Sequence, residues 1–396
     1  MIMNKESATL KTGARVIMVR SLVQIVRRPL LWIAMIGLPL FMFLFVTSMF
    51  EKGLPTRIPA AIVDRDGTSL SRQITQTLGG MQMVDLTETP QSYTEARHAM
   101  QEGRIYGFFL IPENFEADLL SGRSPEISFY TNMVYFVPGS LLFKTFKATA
   151  VYTKAGVAVS VAQSVGQDPE TAAPLLQPIN IAARPIGNPQ LNYGIYLANS
   201  FIPAVLQLMI MLVTVFSLGQ EIKRHTSTRL LRMARGSIFR AVYSKLLPQT
   251  VIWWVMAVFM VSWLYKYNHF TMQGSWGWMI LSELLFVMAA QSFALFVFGL
   301  LPNLRLSLSV CALTGILSFS IAAFSFPEES MYPAMSIFSW LMPVRYNFLI
   351  YADQALNGRD IFYSRIWYVA YIAYIILPVT VMWRIKRFMA KPVYAP

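Results

Sequence analysis

The residues best placed to do chemistry lie in a basic segment, residues 219–245, between two long apolar runs. This segment contains seven lysines and arginines and one acid, Glu221. Its apolar residues recur at helical spacing between the arginines, a pattern typical of an amphipathic helix. Such a helix can lie on a membrane surface or dock into a groove on a soluble partner. A basic loop that only fixes the orientation of the chain explains the charge equally well.

A second group of candidates consists of polar residues inside the apolar runs. Glu283 lies about 10 Å below the outer end of its run, at ~1.5 Å per helical residue. A charge at mid-membrane costs roughly 2.5–3.5 kcal/mol on insertion scales, so this carboxylate needs a partner or a wet cavity. It either faces a translocation path, or snorkels outward or pairs in a helix contact. Asn199, Gln207 and Gln291 are weaker candidates for the same path, and interhelical hydrogen bonds explain them as well.

The sequence contains no recognisable enzymatic constellation. It has no GxxxxGK[ST] phosphate loop, no paired cysteine or His-x-x-x-His metal spacing, and no GxSxG nucleophile turn. The single cysteine, Cys311, lies in an apolar run and forms no internal disulfide. We therefore expect no catalytic residue, no metal and no cofactor on this chain, so any ATP it depends on would bind to another chain.

Composition is that of a membrane protein, because 55% of the residues are hydrophobic and only 13% are charged. The net charge of +13 would suit nucleic acid, yet residues 50–195 carry 11 Lys/Arg against 13 Asp/Glu and are near neutral. The basic excess lies in short flanks of the apolar runs, where membrane orientation explains it better than a nucleic-acid partner does. All these flanks fall on the cytoplasmic side if both termini are cytoplasmic.

Six transmembrane helices and one further domain must position these residues. A bilayer core ~30 Å thick needs about 20 apolar residues as helix. The predicted spans are 29–49, 196–218, 246–264, 276–301, 306–326 and 366–383. The remaining segments are predicted as a cytoplasmic amphipathic helix (1–28), a proline-broken re-entrant or extracytoplasmic segment (327–365) and a cytoplasmic tail (384–396).

Between the first two spans, residues 50–195 alternate short β-like runs with helical segments, one of them long. This alternation predicts a small α/β domain, and the orientation of the spans places it outside the cytoplasm. The predicted fold class is therefore an α-helical membrane protein with six transmembrane helices and an α/β extracytoplasmic domain inserted between helices 1 and 2.

Four stretches, taken in order, resemble the permease subunits of type-two ABC transporters, in the branch with a large extracytoplasmic domain. They are PAAIVDRD at 59–66 with LSR at 70–72, Asn188 and Pro189 with Pro203, the basic connector 219–245, and a closing stretch with Pro343, Arg345 and Tyr346. Together they cover nearly the whole chain at the family's usual spacing. The resemblance implies a dimer of permeases, homo- or heterodimeric, bound to two cytoplasmic ATP-binding subunits that hold ATP and Mg.

The resemblance also implies that the connector contacts the ATPase. The family's usual form there is Glu, then Gly-Thr, Glu, Leu-Leu, Pro, and later Gly-Lys. The coupling candidates are accordingly Glu221, Thr226, Arg229, Leu230, Leu231 and Lys245. His225 stands where the family has its first Gly, and Thr228, Ala234 and Ser244 also depart from the pattern. These departures would fit pairing with a different permease rather than a second copy.

From the resemblance and the apolar, aromatic spans, we expect export of a hydrophobic or amphipathic compound, drug-like or lipid-like, across the inner (cytoplasmic) membrane. Membrane lipid and a periplasmic adaptor on the outer domain are the other expected partners. The alternatives are a non-transporting scaffold or receptor that docks through this domain, and an exporter of lipid or polysaccharide. The amphipathic connector argues against the first, and the large outer domain argues against a polysaccharide permease.

Overall fold

The computed structural model describes residues 12–50, 53, 55–121, 123, 125–164, 192–268, 270, 272–322, 324, 326 and 328–392. The chain divides into two compact units, which are Met1–Gly53 with Pro185–Pro396, and Leu54–Arg184. The first unit is helical and the second contains a sheet. Asn188 and Pro189, two of the family-like residues, lie outside the described residues.

Among the described residues of the first unit, six helices are long and apolar enough to cross a membrane, which agrees with the predicted number. The first to sixth spans are Pro29–Met49, Gly194–Lys223, Ile238–Lys266, Trp276–Leu300, Leu304–Ile321 and Ile361–Ala390. In the second and fourth spans, 61% of the residues in the most apolar 18-residue stretch are buried within the protein, against 28% in the other four spans. The second and fourth spans therefore form the centre of the bundle.

Three of these helices extend well beyond the apolar runs that predicted them. The third span begins at Ile238 rather than 246, because the hydroxyl of Ser237 accepts a hydrogen bond from the Arg240 N–H and caps the helix. The sixth begins at Ile361, where the Asp360 carboxylate accepts from the Phe362 N–H at 2.8 Å. The second continues through its charged end to Lys223. Hydropathy detects the apolar part of a helix and not its polar ends.

Four spans depart from a regular α-helix or contain an internal proline, and in three of them a proline is present at that point. Pro203 lies inside the second span and Pro248 inside the third, and each removes one backbone donor from the helical ladder. The sixth span changes to a 3₁₀ turn at Leu377–Val381, which includes Pro378. The first span changes to a π-helical turn at Ile33–Gly37. Such positions are where helices bend.

The segment predicted as a proline-broken re-entrant region contains two short helices, Pro333–Trp340 and Pro343–Tyr351, followed by a π-helical turn at Ala352–Leu356. The two prolines do not break these helices. Each occupies the first helical position, where the missing N–H would have no partner in any case. The second of the two helices is largely buried against the fourth span.

The N-terminal helix, Ala14–Arg27, precedes the first span. Its buried face consists of Ile17, Ser21 and Ile25, which pack beside the third span. The valines Val19, Val23 and Val26 are exposed. An exposed apolar face between arginines is the pattern of a helix that lies in a membrane interface.

The second unit is a four-stranded sheet with helices on both faces. The strands are β1 (Ile58–Asp64), β2 (Val84–Glu88), β3 (Gly107–Ile111) and β4 (Ser128–Thr131), in the order β2-β1-β3-β4. β1 pairs in parallel with β2 and β3, and β4 is antiparallel to β3. The helices are Ser69–Gly79, Tyr93–Gln101, Phe115–Leu120 and the long helix Phe136–Ser164. Phe109 of β3 lies in the core on one face, with Phe146 of the long helix, and Phe108 lies in the core on the other.

Candidate functional site

The connector between the second and third spans consists of one short helix, Ser227–Met233, with a tight turn at each end. His225, Arg235 and Gly236 adopt left-handed backbone conformations, with φ of 53°, 54° and 76°. His225 is the position where the family pattern has glycine, and a left-handed φ is the physical reason for glycine there. The predicted single amphipathic helix is therefore divided between the short connector helix and the first turns of the third span.

The apolar stripe of the connector faces the protein itself. Leu230 is 0% exposed and Leu231 8%, and both lie in one core cluster with Ile17, Ile238 and Val242. The two leucines are therefore not exposed for direct contact in this structure, and a coupling role for them would act through the position of the connector. Their role in this structure is to anchor the connector to the bundle.

Glu221 lies at the centre of a buried polar cluster, which we call the Glu221 cluster. Its carboxylate oxygens lie 2.8 Å from Lys245 Nζ and 2.8 Å from Arg20 Nη2, and the Thr226 hydroxyl also donates to it. The Gln24 side-chain oxygen accepts a further hydrogen bond from Lys245 Nζ at 3.1 Å. Glu221 and Lys245 are each 3% exposed. The cluster joins the N-terminal helix, the second span and the third span at one point.

Three of the predicted coupling residues, Glu221, Thr226 and Lys245, are thus brought together by the fold. Arg20 and Gln24 belong to the same cluster and were not predicted. Arg20 is separated from Glu221 by 201 positions in the sequence, so no local spacing indicates the pairing. In the sequence, only the arginines of the N-terminal helix could have indicated this partner for Glu221, since a buried glutamate requires a cation or a hydrogen-bonding partner.

The arginines of the connector form its exposed part. Arg229 is exposed, and so are Arg224, Arg232, Arg235 and Arg240. Partial burial and then repulsion by Arg224 lower the pKa of Arg28, which lies just before the first span. Phe239 and Tyr243 are also exposed, with stacked rings 6.3 Å apart. We call the five exposed arginines the arginine surface.

Glu283 lies inside the bundle and does not snorkel to the surface, since it is 4% exposed. The Asn347 amide donates a hydrogen bond to its carboxylate at 3.1 Å. Asn199 lines the same small cavity, and its side-chain oxygen accepts a hydrogen bond from the Tyr265 hydroxyl at 3.1 Å. The cavity, of about 20 Å³, lies between the second, third and fourth spans and the helix Pro343–Tyr351.

Gln207 and Gln291, the two other polar candidates, lie away from this cavity. The Gln207 side-chain oxygen accepts a hydrogen bond from the Val344 N–H at 2.7 Å, at the start of the helix Pro343–Tyr351. The Gln291 side-chain oxygen accepts from the Thr250 hydroxyl at 2.7 Å. Both glutamines therefore form the interhelical hydrogen bonds that were the alternative to a place in the path.

Arg345, one of the family-like residues, holds a second buried cluster, which we call the Arg345 clamp. Its guanidinium pairs with the Glu328 carboxylate, lies 2.5 Å from the Ser339 hydroxyl and stacks 3.7 Å from the centroid of the Trp340 ring. The Tyr346 hydroxyl donates to the Trp340 carbonyl at 2.9 Å. The clamp fixes the two short helices after the fifth span to each other, and Pro343 begins the second of them.

Glu328 completes the clamp, since its carboxylate pairs with the Arg345 guanidinium. Burial acts to raise the pKa of Glu328, but hydrogen bonds from Ser336, Trp340 and Arg345 outweigh it and hold the pKa below its ordinary value. The carboxylate is therefore ionised at neutral pH and available to the guanidinium.

Six long apolar helices, with two of them joined through a packed basic connector, define a multi-pass membrane protein. The family model described as ABC-2 family transporter protein matches residues 29–383. The chain belongs to this family and is an ABC transporter permease, as its resemblance to such permeases implied. Membership implies an ATP-binding partner in the assembled transporter. The chain matches no curated protein at a significant level.

Proposed function

We propose that this permease exports a hydrophobic or amphipathic compound, drug-like or lipid-like, across the inner membrane. A separate ATPase subunit supplies the energy, and a second permease, identical or different, completes the path. Both termini are then cytoplasmic and the α/β unit is extracytoplasmic, because this orientation puts the connector, the N-terminal helix and the C-terminal basic residues on the inner side.

The observation that carries this proposal is the Glu221 cluster beside the arginine surface. The connector helix is packed into the bundle through Leu230 and Leu231, and Glu221 ties the ends of the second and third spans together. A displacement of the connector therefore moves both spans and the N-terminal helix. An ATPase that binds the connector differently in its ATP-bound and free states would shift the permease between two conformations.

The arginine surface supplies the contact with the ATPase subunit. Five exposed guanidinium groups on and beside the connector favour a partner that presents carboxylates, because arginine forms bidentate hydrogen bonds with them. Arg229 is the predicted coupling residue that remains accessible, and Arg232 lies one turn further along the same short helix.

A specific observation on the α/β unit supports a periplasmic adaptor, and equally the scaffold alternative. Four consecutive apolar residues there are exposed, namely Met133 (47%), Val134 (88%), Tyr135 (53%) and Phe136 (71%). Exposed apolar patches of this kind mark interaction sites. In an exporter this patch would receive the adaptor, and in a scaffold it would be the main functional surface.

The test is co-purification of the tagged permease with its ATP-binding subunit from native membranes, followed by an ATPase assay on the eluate. Arg229→Glu and Arg232→Glu should each reduce the co-purified ATPase activity about tenfold or more, the loss expected when a charge-assisted contact becomes repulsive. Arg97, which is also exposed, lies on the α/β unit, so Arg97→Glu is the matched control and should leave the activity unchanged.

Full co-purification and activity in both connector variants would overturn the coupling assignment. A permease that purifies with no ATP-binding subunit in any variant would favour the scaffold function instead.

A further inference from the structure

Glu283 is a buried carboxylate in the fourth span for which the described part of the protein provides no counter-charge. It forms no ion pair with any described residue, and Asn347 is its one hydrogen-bond donor among them. The other acids of this unit that lie in polar clusters differ in this respect, since Glu221 meets Lys245 and Arg20, Glu328 meets Arg345, and Asp353 meets Arg359. A lone ionisable group at this depth is a functional-site candidate, because burial without compensation is unfavourable.

The cavity beside Glu283 has the size of one small polar group. Its volume of about 20 Å³ accommodates a water molecule or a group of similar size. A primary ammonium group, –NH₃⁺, is such a group, whereas a trimethylammonium group is several times larger. The size of the cavity therefore favours a small cationic group, in addition to the charge of Glu283.

The cavity wall combines hydrogen-bond acceptors with aromatic and flexible apolar surface. The polar lining residues besides Glu283 are Asn199, Asn347, Tyr265 and Tyr351. An ammonium group has three donors and no acceptor, so the oxygens of these side chains match it, and the tyrosine rings offer cation–π contacts. The remaining wall is apolar, with Met260 and Met279 among its members, and methionine adapts readily to ligands of different shape.

We propose that Glu283 receives the primary ammonium group of an amphipathic amine, whose apolar body lies against the methionine-lined wall. This inference rests on the proposed export function and names its substrate class. Asn347 orients the carboxylate through a neutral amide, which leaves the negative charge for the ligand. An arginine or lysine at that position would neutralise it.

The second span connects this site to the connector. Pro203 lies in the cavity wall and within the second span, so the helix lacks one backbone hydrogen bond there and can bend. Glu221 lies 18 residues further along the same helix, about 27 Å away at ~1.5 Å per residue. Movement of the connector would bend the helix at Pro203 and open the cavity to the body of the ligand.

The test measures binding to the permease alone, reconstituted in nanodiscs of phosphatidylcholine, with radiolabelled dodecylamine as the probe. Glu283→Gln keeps the shape of the side chain and removes its charge. It should weaken dodecylamine binding about ten- to a hundredfold, the range for a lost charge-assisted hydrogen bond. Gln291→Ala changes a buried polar residue of the same helix outside the cavity and should bind as the unchanged protein does. Dodecanol and dodecyltrimethylammonium should compete at least about tenfold less well than unlabelled dodecylamine.

Equal binding by the unchanged protein and Glu283→Gln, or equal competition by dodecanol, would overturn the proposal. Glu283→Asp, which keeps the charge, should restore part of the affinity, and failure to exceed Glu283→Gln would also count against it. Because the ATPase is absent from this assay, a negative result leaves the export function standing. Conversely, a permease that binds the amine but couples to no ATPase would refute the export function and not this site.

Discussion

The strongest prediction concerns the Glu221 cluster, because the partners there are buried and their geometry is close. Lys245→Met removes a cation whose side chain is 4% exposed and which lies 2.8 Å from a carboxylate that is 3% exposed. Removing one member of a buried ion pair typically costs about 3–5 kcal/mol of stability, because the other charge remains buried. Arg20 still pairs with Glu221 in the variant, so we expect the lower end, about 3 kcal/mol.

The assay is a double-mutant cycle of Lys245→Met and Glu221→Gln, with the free energy of unfolding measured in mixed dodecyl maltoside and sodium dodecyl sulfate micelles. The double variant leaves Arg20, whose side chain is 22% exposed and can reach water. It should therefore be more stable than the sum of the single changes predicts, with a coupling energy of about 2 kcal/mol. Lys386→Met, at an exposed lysine of the sixth span, is the control and should change stability by less than about 0.5 kcal/mol. Additivity within about 0.5 kcal/mol would refute the role given to this cluster.

Three further predictions concern other parts of the permease. The folded-state pKa of Glu328 lies below the ordinary value of about 4.3. Its ionised form therefore contributes fully to stability above a pH of about 4.3, and this contribution is lost as the pH falls through the lowered pKa. The thermal midpoint should drop in this acid range, and the part of the drop that is due to Glu328 should be absent in Glu328→Gln. His225→Gly should stabilise the protein by about 0.5–1 kcal/mol, since glycine relieves the left-handed strain at φ 53°; an unchanged free energy of unfolding would show that no strain is present. Gly299→Ala should cost about 1–3 kcal/mol, because the new methyl would lie 2.4 Å from a methyl of Val381; Gly277→Ala, where the nearest atom is 3.7 Å away, should be neutral, and equal effects of the two would contradict the packing.

Much of the helical unit was predictable because each membrane span depends on the residues of a single segment. A run of apolar residues long enough to cross a bilayer identifies a span without any knowledge of its neighbours, and all six spans were found in this way. The charged turns between them indicate orientation by the same local reasoning. The ends of the helices were missed where they are polar, as in the third span, which begins at Ile238 because Ser237 caps it.

The candidate site was predictable only in part, since it depends on contacts between distant segments. The sequence indicated Glu221, Lys245 and Glu283 as unusual polar residues, but not that Arg20 would meet the first of them across 201 positions. It did not show that Leu230 and Leu231, two of the coupling candidates, are buried, because periodicity shows that a helix has an apolar face and not what that face covers.

What the sequence by itself determined is the membrane class of this protein, the number of its spans and its family-like order of motifs. These follow from composition and from periodicity within single segments, whose energetics the bilayer dictates. Only the tertiary structure decided which charges are paired and which are not. Glu221 and Glu283 are both acids at the level of sequence, yet one lies between two cations and the other beside an amide and a cavity. That difference arises from helix packing, which brings side chains together across the bundle irrespective of their separation along the chain.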